Sequence, residues 1–279
     1  MKKMLTLILL ISVSSLVVAD LQWKTEVTTE ADKRVNRNRM IMTTYAKDGD
    51  VRQVFTEVDN QRNPYYSDSV EWLYKGKKGV MYLINHDEKT YTPMEMDMLL
   101  QMAQMAGDMV NISVSDYRVS HQDLPGETLL GYPCKHVKIV TDYQMTIKVA
   151  VIKKEFTVHD EKEIWGTHGI KGLKSVAPAF LNKDFKTGFE GLDKMIAQQT
   201  GLYKKIGFPL KTILYSLQKN KRGKVLSEST TTQRVTGIES KPLKPSLFEL
   251  PEGYTEQTMA GTDEDGKKVK LKDLFKKDG

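Results

Sequence analysis

Five methionines recur at helical spacing between residues 94 and 109, and they are the side chains of this chain best suited to a chemical role. At roughly 100° per residue, they fall within an arc of about 80° on one side of a helix. Thioether side chains are soft ligands that favour Cu(I), and they are also flexible enough to line a cavity for an irregular apolar ligand. The five residues are Met94, Met98, Met102, Met105 and Met109.

Three interpretations of these methionines stay open: plain core packing, the lining of a lipid-sized cavity, and a copper site. Leu99, Leu100 and Ala103 widen the apolar arc, which favours burial over the exposed, polar surroundings that copper sites usually have. A Cu(I) site would use Met94, Met98, Met102 and Met105. A hydrophobic ligand would contact a larger set, which comprises Met94, Met98, Leu99, Met102, Met105, Met109, Phe185, Phe189 and Leu192.

The segment that carries the methionines is predicted to be a helix from residue 92 to residue 109. Thr92 can cap the first turn, Pro93 suits the first helical position, and Glu95 completes a Thr-x-x-Glu capping box. Apolar residues cover most of its circumference, well beyond the roughly 100° stripe of a surface helix. We therefore expect other elements to enclose this helix from more than one side.

A second helix is predicted at 185–200, where apolar residues share one helical face and Gly201 can end the helix. Almost all of the remaining chain predicts antiparallel strands, beginning with an alternating segment at 21–29. Turn signals that join strands into hairpins stand at 47–50, 75–78 and 220–223. The helices therefore interrupt a chain that is otherwise a series of strands.

The tetrapeptide His-Asp-Glu-Lys occurs twice, at 86–89 and at 159–162, each time just after a predicted strand. Because Asp is common in turns, we interpret both copies as polar turns, with a duplicated half or a metal site as the alternatives. Cys134 and His136 are the only close thiol–imidazole pair, and positions two apart in a strand share a face. A packed cysteine beside an incidental histidine is the simpler interpretation, because free cysteines are usually buried.

Residues 1–19 have the features of a signal peptide: Lys2 and Lys3, an apolar run, and small residues ahead of Asp20. The remaining chain is predicted to form one domain at 20–260, followed by a charged, flexible tail at 261–279. A single cysteine excludes an intramolecular disulfide. The net charge of +6 is spread over predicted loops, which argues against a nucleic-acid surface.

Signatures of catalysis are missing from the sequence. It has no Gly-x-Ser-x-Gly, no His-Glu-x-x-His, no glycine-rich phosphate loop and no Cys-x-x-Cys. We therefore predict a protein that is not an enzyme and that carries no cofactor.

The order of these elements, with the motifs Gly-Tyr-Pro-Cys-Lys at 131–135 and Leu-Phe-Glu-Leu-Pro-Glu-Gly-Tyr at 247–254, resembles a known family. The chain is similar to exported bacterial proteins related to the lipoprotein carriers LolA and LppX, and closest to an uncharacterised branch of them. The resemblance implies a mainly β fold, in which a strongly curved antiparallel sheet forms an unclosed half-barrel. It also implies that the Met-rich helix and the second helix lie as a lid over an apolar cavity.

The function expected from the residues and the resemblance together is non-enzymatic binding of a lipid or acyl chain. The protein would be exported, without a stable transmembrane segment after signal cleavage, and periplasmic if the host is Gram-negative. An envelope protein is a possible partner. The alternatives are a Met-rich Cu(I)-binding envelope protein and a protein-interaction module of the cell envelope.

Overall fold

Twelve β-strands form one curved sheet in the computed structural model, which describes residues 20–31, 37–59, 67–95, 110–149, 152–170, 190–257, 260–262 and 268–270. The strands of this sheet are β1 (Leu21–Ala31), β2 (Arg37–Lys47), β3 (Asp50–Val58), β4 (Val70–Lys75), β5 (Val80–Asn85), β6 (Thr90–Glu95), β7 (Val110–Leu124), β10 (Lys135–Val149), β11 (Ile152–Thr167), β12 (Phe208–Asn220), β13 (Val225–Ser240) and β14 (Thr255–Glu256).

Four short strands and two helical segments complete the described elements. The strands β8 (Thr128–Leu129) and β9 (Tyr132–Pro133) form one small hairpin. A second small pair, β15 (Ala260–Thr262) with β16 (Lys268–Lys270), spans the start of the segment predicted to be a charged tail. The helix α1 (Glu190–Ile206) precedes β12, and a 3-10 turn (Pro245–Phe248) precedes β14.

The spatial order of the large sheet is β14-β6-β5-β4-β3-β2-β1-β13-β12-β11-β10-β7. All of its neighbours pair antiparallel except β14, which runs parallel to β6. The two edges, β14 and β7, do not pair with each other in the part of the chain that the structure describes. The prediction of a mainly β protein with a curved, unclosed sheet is therefore confirmed.

Two of the predicted hairpin turns have clear local causes. Asp48 and Gly49 join β2 to β3 with φ of 51° and 90°, the positive values that a tight hairpin turn requires. Between β12 and β13, the side-chain oxygen of Asn220 accepts hydrogen bonds from the backbone N–H groups of Arg222 and Lys224, and Gly223 has φ of 77°. These turns are specified by their own residues.

The helix predicted to begin at Thr92 does not begin there, because Thr92, Pro93, Met94 and Glu95 belong to β6. This strand pairs antiparallel with β5, and the pairing places Met94 opposite Met81. Pro93 is tolerated because β14 pairs only with the first two residues of β6, so Pro93 lies where the strand has an open edge among the described residues. Strand pairing therefore prevails over the capping signals, and residues 96–109 lie outside the described ranges.

The two copies of His-Asp-Glu-Lys have different structures. Residues 86–89 form the predicted turn between β5 and β6, with Lys89 at φ of 51°. Residues 159–162 lie inside β11, so the prediction of a second turn was wrong. Both neighbours of β11 pair with this copy, which places His159 opposite Asp142 of β10 and Leu217 of β12.

The second helix extends further along the chain than predicted. Gly201 was expected to end it, but α1 continues to Ile206 and is followed by Gly207 at φ of 88°. Ile206 is buried against Val137 and Ile164, and this packing carries the helix past Gly201 at a propensity cost of about 1 kcal/mol. The predicted positions 185–189 lie outside the described residues.

Among the described residues, no helix is both long enough and apolar enough to cross a bilayer.

One face of β2–β6 is covered by residues 241–257, which we call the C-terminal strap. Its Leu243 and Phe248 are buried together with Leu73 and Ile84 of the sheet. The ion pair of Arg52 and Glu71 binds the strap at its centre. Arg52 is ion-paired with Glu71 and donates a hydrogen bond of 2.9 Å to the carbonyl of Leu247 in the strap.

Three further contacts hold the strap along its length. Nδ1 of His86 and the hydroxyl of Tyr254 are hydrogen-bonded at 2.8 Å. The ammonium group of Lys75 donates a hydrogen bond of 3.0 Å to the carbonyl of Phe248. At the start of the strap, the backbone N–H of Leu243 donates a hydrogen bond of 2.7 Å to the carboxylate of Asp20. The strap is therefore an integral layer of the fold.

Replacing Arg52 by Ala should lower the free energy of unfolding by about 3 kcal/mol, because it leaves the Glu71 carboxylate buried without its cation. The side chains of Arg52 and Glu71 are only 12% and 13% exposed. Arg39→Ala is the matched control, since Arg39 is also ion-paired, with two carboxylates, but is 40% exposed, and it should change stability much less. Urea unfolding of both variants tests this, and equal losses would contradict the structural role of the Arg52–Glu71 pair.

Gly207→Ala should destabilise the protein by about 2–3 kcal/mol, because the residue is in the left-handed region and has no room for a side chain. An added Cβ would lie 2.5 Å from the carbonyl oxygen of Thr167. In Gly201→Ala the new Cβ meets nothing within 4 Å, so this control should gain up to about 1 kcal/mol from helix propensity. Thermal unfolding distinguishes the two, and a tolerated Ala at 207 would refute the helix end described here.

Candidate functional site

An apolar row of side chains crosses six neighbouring strands on the face that the strap leaves uncovered. Cross-strand pairing places one residue of each strand, from β1 to β6, side by side. Paired residues point to the same face of a sheet, so this row forms one continuous surface. Its members are Leu21, Ala46, Val51, Tyr74, Met81 and Met94.

The ends of the apolar row are buried and its middle is not. Leu21 and Ala46 belong to a buried cluster at one end, and Met94 is 6% exposed at the other. Val51, Tyr74 and Met81 between them keep part of their surface accessible. Partial burial, with a smaller contribution from Asp50, raises the pKa of Tyr74.

A second row lies beside the first, because residues two apart in a strand share a face. It includes Trp72 of β4 and Leu83 of β5, which are directly paired and half-buried. The residues next to them in sequence, Leu73 and Ile84, point to the strap and have no exposed surface. On the strap-covered face Leu73 and Ile84 are therefore fully buried, whereas Trp72 and Leu83 on the opposite face keep part of their surface accessible.

The helix α1 lies on the same side of the sheet as the apolar row. Its last residue, Ile206, packs on Val137 and Ile164. A row of paired residues leads from Ile164 across β12 and β13 to Val27 of β1, so Ile164 and Val27 point to the same face of the sheet. Val27 and Leu21 are six residues apart in one strand, so Leu21 also points to that face. Near its start, Gly191 allows the helix backbone to approach β7, where an added Cβ would lie 2.7 Å from the carbonyl oxygen of Val114.

The structure describes only part of the predicted ligand-contacting set. Met94 lies in β6 and ends the apolar row, opposite Met81. Leu192 lies in α1. The others stay predictions because they lie outside the described residues; they are Met98, Leu99, Met102, Met105, Met109, Phe185 and Phe189. The same holds for three of the four predicted copper ligands, Met98, Met102 and Met105.

Trp72, Tyr74, Met81 and Leu83 were not singled out from the sequence. They lie in β4 and β5. The sequence of β5, Val-Met-Tyr-Leu-Ile-Asn, is apolar on both faces, and without alternation it does not show which apolar residues point to which side. The sequence of β4, Val-Glu-Trp-Leu-Tyr-Lys, alternates, with Glu71 and Lys75 on the strap side beside Leu73. Only the strap, which arrives from far along the chain, distinguishes the two faces.

The thiol and imidazole of the Cys134–His136 pair have separate surroundings. Cys134 is buried just before β10, with Sγ 3.4 Å from the carbonyl oxygen of Tyr132, and burial raises the pKa of its thiol. The ring of His136 stacks on Trp165 at 3.9 Å, and its Nε2 lies 2.9 Å from a carboxylate oxygen of Glu163. A thiol with a raised pKa is a poor nucleophile, in agreement with a packing role for Cys134.

Three solved structures are similar to the chain at low identity. An uncharacterized conserved protein from Thermus thermophilus is 8% identical, with a TM-score of 0.35 over 86% of this chain and 91% of that one. A domain from Vibrio parahaemolyticus described as an outer membrane lipoprotein-sorting protein is 10% identical, with a TM-score of 0.29 over 83% and 89%. A DUF1329 family protein from Desulfovibrio piger is 9% identical, with a TM-score of 0.28 over 83% and 90%.

The Vibrio domain carries, in its description, the lipoprotein-sorting role of the carriers that the sequence resembles. No curated protein matches the chain significantly. The family model described as "Domain of unknown function (DUF4412)" matches residues 34–254. Because this match spans most of the 279 residues, the chain belongs to the DUF4412 family.

Proposed function

We propose that the protein binds a hydrophobic ligand, a lipid or an acyl chain, without catalysis, and that the ligand lies against the apolar row. The observation that carries this proposal is the difference between the two faces of β4 and β5. Leu73 and Ile84 are completely buried under the strap, whereas Trp72 and Leu83, their sequence neighbours, stay half-buried on the other face.

A partly exposed apolar strip has a physical cost that a ligand would remove. Burying apolar surface stabilises a protein by about 25 cal/mol per Å², so leaving several large side chains accessible forgoes that stabilisation. Contiguous apolar patches on folded proteins commonly mark a binding surface. The flexible thioethers of Met81 and Met94, paired at one end of the row, suit a ligand of irregular shape.

The arrangement also gives the proposed site two limits. The strand β6 ends the apolar row on one side, because β14 pairs only with its first two residues. On the other side, α1 lies on the same face, packed against β7, β10 and β11. A ligand held between these limits would contact mainly β2–β5, and the Met-rich segment and the second helix would supply the lid that the family resemblance implies.

The proposal includes an exported location, supported by the signal-peptide features of residues 1–19. In a Gram-negative host this location is the periplasm, where a lipid carrier would exchange its ligand with an envelope protein. The domain boundaries proposed with it are 20–260 for the ligand-binding unit and 261–279 for a charged tail.

A brominated fatty acid should quench the fluorescence of Trp72 but not that of Trp165, because Trp72 is half-buried beside the apolar row, whereas Trp165 is 6% exposed and its ring is covered by His136 and Lys211. The chain has three tryptophans, so two single-tryptophan variants suffice. Trp23→Phe with Trp165→Phe keeps Trp72, and Trp23→Phe with Trp72→Phe keeps Trp165. Titration with dibromostearate should quench only the first variant. Equal quenching of both, or of neither, would contradict binding at the apolar row.

Replacing Met81 and Met94 together with Leu should keep fatty-acid affinity within about threefold, because these swaps conserve apolar volume and each costs less than about 1.5 kcal/mol. Leu83→Glu should instead weaken the binding of a fluorescent fatty acid at least about tenfold, since it places a charge on the apolar strip. Cu(I) titration of the same proteins tests the metal alternative. Tight Cu(I) binding by the parent, lost in the Met→Leu protein, would replace the lipid proposal.

A further inference from the structure

A polar groove of about 220 Å³ lies on the sheet face opposite to α1, far from the apolar row in sequence and in strand order. It crosses β7, β10, β11 and β12. Two cross-strand rows form it. The first contains Arg118, Asp142 and His159, and the second contains Gln144, Thr157 and Lys219.

The groove coincides with a bulge between β7 and β10. Asp142 pairs with Arg118, but Gln144 pairs with Ser115, so two residues of β7 face one residue of β10. One of these two residues of β7, Asp116, has φ of 51° and lines the groove. Bulges bend a strand and redirect its side chains, and they are common beside binding sites. The irregular pairing therefore accounts for the opening at this place.

The two carboxylates nearest His159 already have hydrogen-bond partners. Nδ1 of His159 is hydrogen-bonded to Asp142 at 2.8 Å, and Nε2 lies 3.3 Å from Glu161. The hydrogen bond with Asp142 is the largest cause that raises the pKa of His159, and the bond with Glu161 adds to it, whereas burial lowers this pKa. Glu161 is also ion-paired with Lys138 at 2.6 Å. Asp142 therefore does not engage Arg118, although the two residues are directly paired across the strands.

Arg118 and Lys219 are left without an ionic partner within the described ranges. They stand at the two ends of the groove, on β7 and β12, which are three strand intervals apart, or about 14 Å. Both side chains are long enough to reach inward from those ends. Between them, the amide of Gln144 and the hydroxyl of Thr157 lie on directly paired residues and can donate hydrogen bonds.

We propose that this groove is a binding site for a small dicarboxylate, with one carboxylate held by Arg118 and the other by Lys219. The negative charge of Asp116 offsets part of the attraction of Arg118, so a single carboxylate gains little at that end. A ligand that reaches both cations gains two charge-assisted interactions instead of one. The size of the groove suits an acid of roughly four to six carbons.

Isothermal titration of the full mature chain with succinate at low ionic strength, with acetate as the single-carboxylate comparison, tests the site. Succinate should bind more tightly than acetate. Arg118→Gln and Lys219→Gln should each weaken succinate binding at least about tenfold, and Asp116→Asn should strengthen it. Arg222→Gln is the matched control, because Arg222 is an exposed turn residue outside the groove.

All of the substituted residues are at or near the surface, so urea unfolding should show that each variant is folded. The proposal is overturned if the parent binds succinate no better than acetate. It is also overturned if Arg222→Gln weakens binding as much as Arg118→Gln or Lys219→Gln. Neither result bears on the fatty-acid site, since that site lies on the other face of the sheet and is measured by a different ligand.

Discussion

The buried ion pair between Arg52 and Glu71 is the interaction on which the difference between the two sheet faces depends. It lies on paired strands in the sheet, but the guanidinium also donates to the backbone of the strap. Removing two charges from water is costly, and the cost is offset only where partners and geometry are good. The strap is one of those partners, so the pair and the strap stabilise each other.

Covering one face of a sheet determines what the other face can do. With the strap over β2–β6, the sheet needs no second protein layer on that side, and the opposite face carries the apolar row and, further along, α1. The strap-covered side changes character along the same sheet. At β2–β6 it buries Leu73 and Ile84, whereas at β10 and β11 it bears ion pairs such as Lys138–Glu161 and His136–Glu163.

The candidate site was predictable in kind and only partly in position. The Met-rich segment pointed to an adaptable apolar surface, and Met94 does lie at one end of such a surface. It reaches that place as a strand residue, because pairing with β5 provides backbone hydrogen bonds along its whole length. The half-buried Leu83 gave no sequence signal, since both faces of β5 are apolar. Trp72 lies on the apolar face of β4, which alternates with Glu71 and Lys75, but the alternation alone does not show that this face stays partly exposed.

What the sequence determined by itself is the set of features that depend on a few neighbouring residues. The turns at Asp48–Gly49 and at Asn220–Gly223 form as predicted, because positive φ and side-chain capping are local requirements. The signals for strands along most of the chain are equally local.

Tertiary structure decided every feature in which distant segments compete. One copy of His-Asp-Glu-Lys turns and the other extends, because only the second has a partner strand on each side. The helix α1 continues past Gly201, because burial of Ile206 outweighs the weak helix propensity of one glycine. It ends before Gly207, whose contact with Thr167 requires a residue without a side chain. Burial and pairing with remote strands contribute more to the free energy of folding than local conformational preference does. A sequence does not show which strands will pair.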